Sequence, residues 1–294
     1  MDMTTKRAEC LLLFVTFCWG SSYLFMKDGL TDLGAFAIVA WRFGIAFLAA
    51  GLLLGSGWKR VTWSMVRAGA LVGLMVFLAF SLLVKGVAYT STTNAGFITS
   101  MMVVFIPFVE RFVYGRPLRR SVWMTSALSL LGIGCLTLSG GLSLNPGDVF
   151  CLIGAMLCAL QVSYASRLLV HMDAVTLGVL QFGFTALFGL LTALYLGEPM
   201  MPHGTSWGSM MYLGLVCSAF GFLAQLQAQR FIAAERVGIL FSLEPVFAAI
   251  IGVICLHESF GFSHLAGAAL VLMSVVLSGK SDSSAEKADQ TAKA

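Results

Sequence analysis

The chain has 294 residues, of which 59% are hydrophobic and only 11% are charged, and its formal net charge is +4 at pH 7. Soluble domains carry about 25% charged residues, so this composition excludes an ordinary soluble protein and indicates an integral membrane protein. The basic residues flank apolar segments and are not interleaved with aromatic residues, so the net charge reports membrane topology and no nucleic-acid partner is expected.

Apolar segments of about 20 residues, the length at which a helix crosses a lipid bilayer, occupy most of the chain. The first follows Lys6 and Arg7 and continues past Trp19 without a small-residue cleavage site, so we interpret it as an uncleaved membrane helix and not as a signal peptide. The polar tail at 280–294 is predicted to be disordered. We predict ten membrane helices, at 9–30, 34–55, 64–88, 93–114, 121–139, 148–169, 174–196, 207–230, 235–256 and 260–278.

Lysine and arginine are distributed unevenly between the two ends of these helices. With the N-terminus inside, all of the 18 basic residues fall on the inner side except Lys27, Lys85 and Arg42. The positive-inside rule then places both termini in the cytoplasm and the protein in the cytoplasmic (inner) membrane. The connecting loops are too short to form an extramembrane domain.

The two halves of the chain, 1–142 and 143–279, resemble each other weakly. A shift of 142 residues places Tyr89 on Phe231 (231 − 89 = 142), and the order of membrane spans, turns and small residues then agrees along both halves. We therefore predict that each half is a repeat of five helices.

The charges of equivalent loops indicate that the two repeats are inserted in opposite directions. The loop at 115–120 carries three arginines, whereas its counterpart at 257–264 carries neither lysine nor arginine. The predicted fold class is thus an all-α membrane protein of ten transmembrane helices in two inverted five-helix repeats. Inverted repeats that enclose a binding site at their interface are a transporter architecture.

The predicted ninth helix carries a carboxylate and a proline side by side, at Glu244 and Pro245. A charge at mid-bilayer costs about 2.5–3.5 kcal/mol on insertion scales, so Glu244 is expected to face a polar pathway and not lipid. It could take up a proton, bind a substrate ammonium group or pair with Arg42, and a structural pair between the halves is the alternative. Because proline lacks an N–H, we predict helix breaks at Pro245 and at Pro107.

Other polar side chains recur at helical spacing. Arg42 could bind a substrate carboxylate with two hydrogen bonds, or instead reach the membrane interface or lock a helix pair. Trp19 and Tyr23 could stack on an apolar substrate or belong to the core. Amides and small polar residues also hold helices together in lipid, and we favour a cavity lining for these stripes as a group. The other predicted pathway residues are Ser22, Gln161, Tyr164, Gln181, Gln225 and Ser242.

Several of these segments resemble the drug/metabolite transporter superfamily, specifically its EamA type. The most specific are Ala234–Ala249 and Leu256–Leu270 in the second half, with Cys18–Tyr23 and Trp41–Phe43 in the first. The resemblance covers nearly all of residues 8–278. It implies ten helices around a central cavity and the movement of small metabolites, most often outward, by alternating access.

The two halves of the chain differ from each other at two notable positions. Arg116 stands where the second half has Glu258, and Pro107 lies one turn later than the repeat would place it (245 − 142 = 103). Roles are therefore not carried from one half to the other.

We expect a secondary transporter that exports small metabolites. Amino acids or related amphipathic compounds are the leading substrate class, because Arg42 and Glu244 could hold the two ends of a zwitterion. Proton coupling through Glu244 is a hypothesis. Uptake or facilitated exchange within the same superfamily, and outside transport a membrane sensor, are the alternatives.

No enzymatic activity is expected. The sequence has no Walker or dinucleotide-binding glycine motif, so neither ATP nor another cofactor is expected. The residues His257, Glu258 and His264 do not have the H-E-x-x-H spacing, so no metal site is expected either.

Overall fold

The computed structural model describes residues 4–90, 92–137, 146–247, 250–251 and 262–293. Within these ranges all regular secondary structure is helical. The helices are α1 (Thr5–Gly29), α2 (Ala35–Leu54), α3 (Trp63–Tyr89), α4 (Thr92–Ser100), α5 (Met102–Phe108), α6 (Arg120–Thr137), α7 (Pro146–Leu168), α8 (Ala174–Leu196), α9 (Ser206–Tyr212), α10 (Gly221–Ala228), α11 (Ala234–Phe241) and α12 (Phe262–Lys293).

Among the described residues, seven helices or runs of consecutive helices are long and apolar enough to cross a membrane. One of them is Ser206–Ala228, in which the π-helical segment Leu213–Phe220 joins α9 to α10. Large apolar side chains are exposed on the outside of the bundle, for example Leu52 at 83% and Tyr195 at 88%. Such a surface is expected of helices whose solvent is lipid. The chain is therefore an all-α, multi-pass membrane protein, and its helices are compatible with the ten predicted spans.

Both prolines that were predicted to break helices lie beside an irregular turn. Pro107 lies inside α5, which runs directly into a π-helical turn at Val109–Val113. Helix α11 ends at Phe241, whose carbonyl would need the N–H that Pro245 lacks. The helix resumes after a two-residue turn.

The helices pack in a pattern that is unchanged when the two halves are exchanged. Helix α2 packs on its counterpart α8, α5 on its counterpart α11, and α6 on its counterpart α12. Helix α3, in the third span of the first half, packs on α7, the first span of the second half. The equivalent pair with the halves exchanged, α10 and α1, also packs together. This pairing fits two five-helix repeats related by a two-fold axis, the inverted-repeat architecture. The proposed boundary between the halves, at 142 and 143, lies outside the described residues, as do His257 and Glu258.

Two glycines of α3 allow a close crossing with α8. A methyl group at Gly73 would lie 2.9 Å from the carbonyl oxygen of Gln181, and one at Gly69 would lie 2.4 Å from Cβ of Leu180. The hydroxyl of Thr185 donates to the Gly73 carbonyl at 2.9 Å, which also requires the two backbones to be near each other. Small residues commonly create such contacts between membrane helices, where close packing replaces the hydrophobic effect.

Helix α12 differs from the sequence-based expectation. It continues from Phe262 to Lys293 and so includes nearly all of the polar tail, 280–294, that was predicted to be disordered. The tail contains alanine, glutamate, lysine and glutamine, which favour helix, and extending an existing helix needs no new nucleus. Its low hydrophobicity argues against packing of the tail but not against helix formation.

Candidate functional site

A cavity of about 50 Å³ lies between the first two helices, α3, the α4–α5 pair, α7, α10 and the end of α11. At this volume it holds a few water molecules and has to widen before a metabolite can enter. It brings together seven of the predicted pathway residues: Trp19, Ser22, Tyr23, Arg42, Gln161, Gln225 and Glu244. The lining residues that were not predicted are mostly apolar: Met26, Val76, Ala79, Phe80, Leu83, Thr99, Met102, Cys158, Val162, Phe222 and Phe241.

Arg42 lies in the middle of α2 and is only 1% exposed. Its Nε donates to Oγ of Ser218 at 2.9 Å, its Nη1 lies 3.7 Å from the sulfur of Met26, and its guanidinium group lies 4.5 Å over the ring of Phe80. Within the described ranges no carboxylate lies within 4.0 Å of this cation. Since sulfur is a weak acceptor, most of the five N–H donors of Arg42 are available to an anionic group.

Glu244 begins the short helical segment that follows the turn after α11, and it is 6% exposed. Its carboxyl group lies beside the phenol of Tyr23, which also adjoins Thr99. Among the residues whose positions are described, no lysine, arginine or histidine lies within 4.0 Å of it. Arg42 and Glu244 therefore line one cavity without forming an ion pair with each other.

Trp19 forms a fixed apolar wall of the cavity. Its indole N–H donates to the carbonyl oxygen of Cys217 at 2.8 Å. Its ring packs between the rings of Phe222, at 5.2 Å, and Phe241, at 5.0 Å between centroids. Because its one polar atom is already bonded, Trp19 offers the cavity an aromatic surface of fixed orientation.

Three predicted pathway residues do not line the cavity. Ser242 is hydrogen-bonded to the carbonyl of Ile239 and to the hydroxyl of Ser129, so it joins neighbouring helices. Gln181 is fully buried at the crossing of α3 and α8. Tyr164 is half-buried and packs against the apolar core. Ser242 and Tyr164 thus contribute to helix packing, whereas the amide of Gln181 has no hydrogen-bond partner among the described residues.

Ion pairs cross the end of the bundle at which α1 begins. The buried carboxylate of Glu110, in the π-helical turn, accepts hydrogen bonds from both terminal nitrogens of Arg167, at 2.9 and 3.0 Å. Arg116 lies 3.8 Å from Glu110 and 3.5 Å from Glu235, which lies in the first turn of α11. Arg236, the next residue of α11, donates to a glutamate of α1 at 2.8 Å. This ion-pair cluster connects α5, α7, α11 and α1, and the sequence did not predict it.

At the opposite end of the bundle, carboxylates accept hydrogen bonds from neutral donors. Asp32 accepts from the hydroxyl of Ser206 at 2.7 Å and from the backbone N–H of His203 at 3.1 Å, and these bonds hold the pKa of its carboxyl group below the ordinary value. Glu198 accepts from two backbone N–H groups in the first turn of α2, at 2.9 and 3.1 Å. A carboxylate is favourable there because the start of a helix presents free N–H groups and a partial positive charge.

The sequence profile of the EamA-like transporter family matches this chain twice, over residues 6–138 and 145–279. A protein of Archaeoglobus fulgidus described as an uncharacterized transporter is 26% identical over 287 residues, which cover 92% of this chain and 97% of that protein. The uncharacterized transporter YcxC of Bacillus subtilis is 25% identical, with 90% of each chain covered. The uncharacterized inner membrane transporter YedA of Escherichia coli is 26% identical over 245 residues, which cover 80% of this chain and 78% of that protein.

A crystal structure of another protein has a similar fold. It superimposes with a TM-score of 0.73 and covers 93% of this chain and 96% of that chain, at 20% sequence identity. At this identity the similarity shows the fold alone, which extends over nearly the whole of both chains.

Proposed function

Since the chain belongs to the EamA-like transporter family and is a multi-pass membrane transporter, we propose that it exports zwitterionic amino acids or related amphipathic metabolites by alternating access. One observation supports this substrate class above all. Arg42 and Glu244 are buried in one cavity, and neither has an oppositely charged partner within 4.0 Å in the described part of the chain. A bound zwitterion would supply both partners.

Burying an ion without a counter-ion is costly, and ionisable residues inside a membrane protein commonly mark a transport pathway. A substrate carboxylate could accept two parallel hydrogen bonds from the guanidinium group of Arg42. A substrate ammonium group could donate to Glu244. The aromatic wall at Trp19 and Phe222 suits an aliphatic or aromatic part of the same molecule.

The direction of transport is proposed from the family resemblance, since EamA-type transporters most often move metabolites outward. Alternating access is reversible, so uptake or exchange through the same cavity differs only in the gradients that drive it. The direction of transport can be measured in vesicles in which the protein has one known orientation, with the substrate placed first on one side of the membrane and then on the other.

Binding should require both charges of the substrate. The tightest binder in a screen of the common L-amino acids is compared with its carboxamide, which lacks the anion, and with its des-amino acid, which lacks the cation. We expect each analogue to bind the purified protein about 30-fold more weakly or worse, because leaving one partner of a desolvated charge pair unpaired costs about 2–5 kcal/mol. Ligand-dependent melting temperatures measure this. Analogues that bind as tightly as the parent amino acid contradict the proposed substrate class.

We further propose that Glu244 couples transport to protons. In proteoliposomes at saturating amino acid, a pH gradient should accelerate wild-type transport and leave the rate of Glu244→Gln unchanged, because glutamine keeps the shape of the side chain but cannot exchange a proton. The control is Asp173→Asn, which changes an exposed carboxylate that caps α8 and keeps an equivalent cap. Equal wild-type rates with and without the gradient, or full gradient-driven activity of Glu244→Gln, would remove proton coupling but not transport.

A further inference from the structure

Two groups of α7 fix the orientation of the Gln229 amide. The carbonyl oxygen of Val162 can only accept, and it lies 3.1 Å from the Gln229 amide, so the atom that faces it is Nε2. The hydroxyl of Ser166 lies 3.3 Å from the same nitrogen and already donates to the Val162 carbonyl at 3.0 Å. Reversing the Gln229 amide would place its oxygen against two acceptors. Oε1 of Gln229 therefore points away from both.

Gln229 in turn orients Gln225, which lies one turn earlier on α10. Nε2 of Gln225 lies 3.4 Å from Oε1 of Gln229, so the amide nitrogen of Gln225 is engaged. Its Oε1 is left without a hydrogen-bond partner among the residues that the structure describes. Gln225 is 1% exposed and lines the cavity. A buried acceptor in this position is satisfied only by a molecule in the cavity, either water or a substrate that displaces it.

In the binding mode proposed above, Arg42 takes the carboxylate of the substrate and Glu244 its ammonium group, which leaves the substrate side chain to meet Gln225. We infer that Gln225, held by Gln229 as an acceptor, selects neutral amino acids whose side chains carry a hydroxyl or an amide. An apolar side chain of the same shape would leave the Gln225 oxygen unpaired. This inference rests on the proposed function, and the test separates the two.

The test compares ligands that differ by one hydrogen-bond donor. L-threonine is paired with L-valine, and ethanolamine is paired with propylamine, which tests the same difference without a carboxylate. Ligand-dependent melting temperatures of the purified full chain measure the four dissociation constants. We expect the wild-type protein to bind threonine about tenfold more tightly than valine, or better, because a site that hydrogen-bonds a substrate hydroxyl discriminates against the analogue that lacks it.

The variant Gln225→Met should lower the threonine-to-valine ratio to about one, chiefly by weakening threonine binding, because methionine has a similar length but only a weakly accepting sulfur. The matched control is Gln227→Met on the same helix. Gln227 is half-buried and is not among the residues that line the cavity. This control should retain the wild-type ratio.

Gln229 is a positioning residue, since it acts through Gln225 and is not among the residues that line the cavity. In Gln229→Met the Gln225 amide can rotate and present its nitrogen instead of its oxygen. We expect the threonine-to-valine ratio to fall while valine affinity stays unchanged, a pattern that a general loss of structure would not produce. If Gln225→Met does not fold, Gln229→Met carries the test.

The outcomes distinguish the inference from the proposed function. A threonine-to-valine ratio that persists in Gln225→Met overturns the role of Gln225 and leaves zwitterion transport standing. If no amino acid of the screen binds, but ethanolamine is preferred over propylamine and Gln225→Met loses that preference, the zwitterion proposal fails and the acceptor role stands. If neither these four compounds nor any amino acid of the screen binds the wild-type protein, both fail.

Discussion

Replacing Arg42 by methionine is expected to abolish transport and to leave the empty protein at least as stable as the wild type. Arg42 is buried, and within the described ranges its side chain has one oxygen partner and no carboxylate partner. Its removal relieves the desolvation of an unpaired cation, and methionine fills a similar volume. Transport should fall about 30-fold or more, since truncating a buried charged contact costs about 2–5 kcal/mol. Counterflow in proteoliposomes and melting in detergent measure the two effects.

A matched substitution at a paired arginine should have the opposite effect on stability. Arg167→Met removes the bidentate partner of Glu110, which is 1% exposed. In the described part of the chain Glu110 then keeps one ion-pair partner, Arg116, at 3.8 Å. Breaking a buried pair costs about 3–5 kcal/mol, and we expect less, about 2 kcal/mol, because the Arg167 side chain is 36% exposed. If Arg42→Met melts lower by as much as Arg167→Met does, then Arg42 is structural and the substrate assignment fails.

The double variant Gly69→Ala/Gly73→Ala is expected to unfold the protein under conditions in which the wild type is stable. The added methyl groups would lie 2.4 Å from Cβ of Leu180 and 2.9 Å from the carbonyl oxygen of Gln181, so α3 and α8 must move apart. The separation also breaks the hydrogen bond from Thr185 to the Gly73 carbonyl. Overpacking costs about 1–3 kcal/mol at each site, which together is a large share of the stability of a typical domain.

The control for this pair is Gly44→Ala/Gly208→Ala, which adds the same two methyl groups inside helices that have room for them. A methyl group at Gly44 has no neighbour nearer than 4.0 Å, and one at Gly208 has none within that distance. Alanine favours helix over glycine, so this variant should melt at the wild-type temperature or above it. Thermal unfolding in detergent and the yield of monodisperse protein compare the two. Similar melting of both double variants contradicts the close crossing.

The fold could be predicted largely from the sequence because the bilayer imposes helix length and the positive-inside rule imposes direction. The cavity charges could be predicted for a related reason. Arg42 and Glu244 stand out in apolar segments, where an ion is costly unless it has a role. The repeats could be predicted from loop charges, although their sequences agree little.

The rest of the site could not be predicted, for two physical reasons. Phe222 and Phe241 line the cavity, but an apolar residue in an apolar helix gives no sign of whether it faces the cavity, the core or lipid. The position of a polar residue is also ambiguous, because it can line the cavity or lie between packed helices. Gln225 lines the cavity, whereas Gln181 and Ser242 lie between helices. The sequence does not distinguish these positions, because amides and hydroxyls occur both between membrane helices and in binding sites. The pair of Glu110 with Arg167 joins residues that are 57 positions apart and share no local motif.

The two ends of the bundle are stabilised by different interactions, so they should respond to different changes in the solution. Ionic strength screens the attraction between Arg116 and Glu235 on one face of the membrane. It has little influence on the bonds that Asp32 and Glu198 accept from neutral groups on the other face. The bonds to Asp32 weaken instead when strong acid protonates its carboxylate, which happens only at unusually low pH because the pKa of this group is depressed. Salt on one side of a vesicle and acid on the other are thus independent means of loosening one mouth of the transporter at a time.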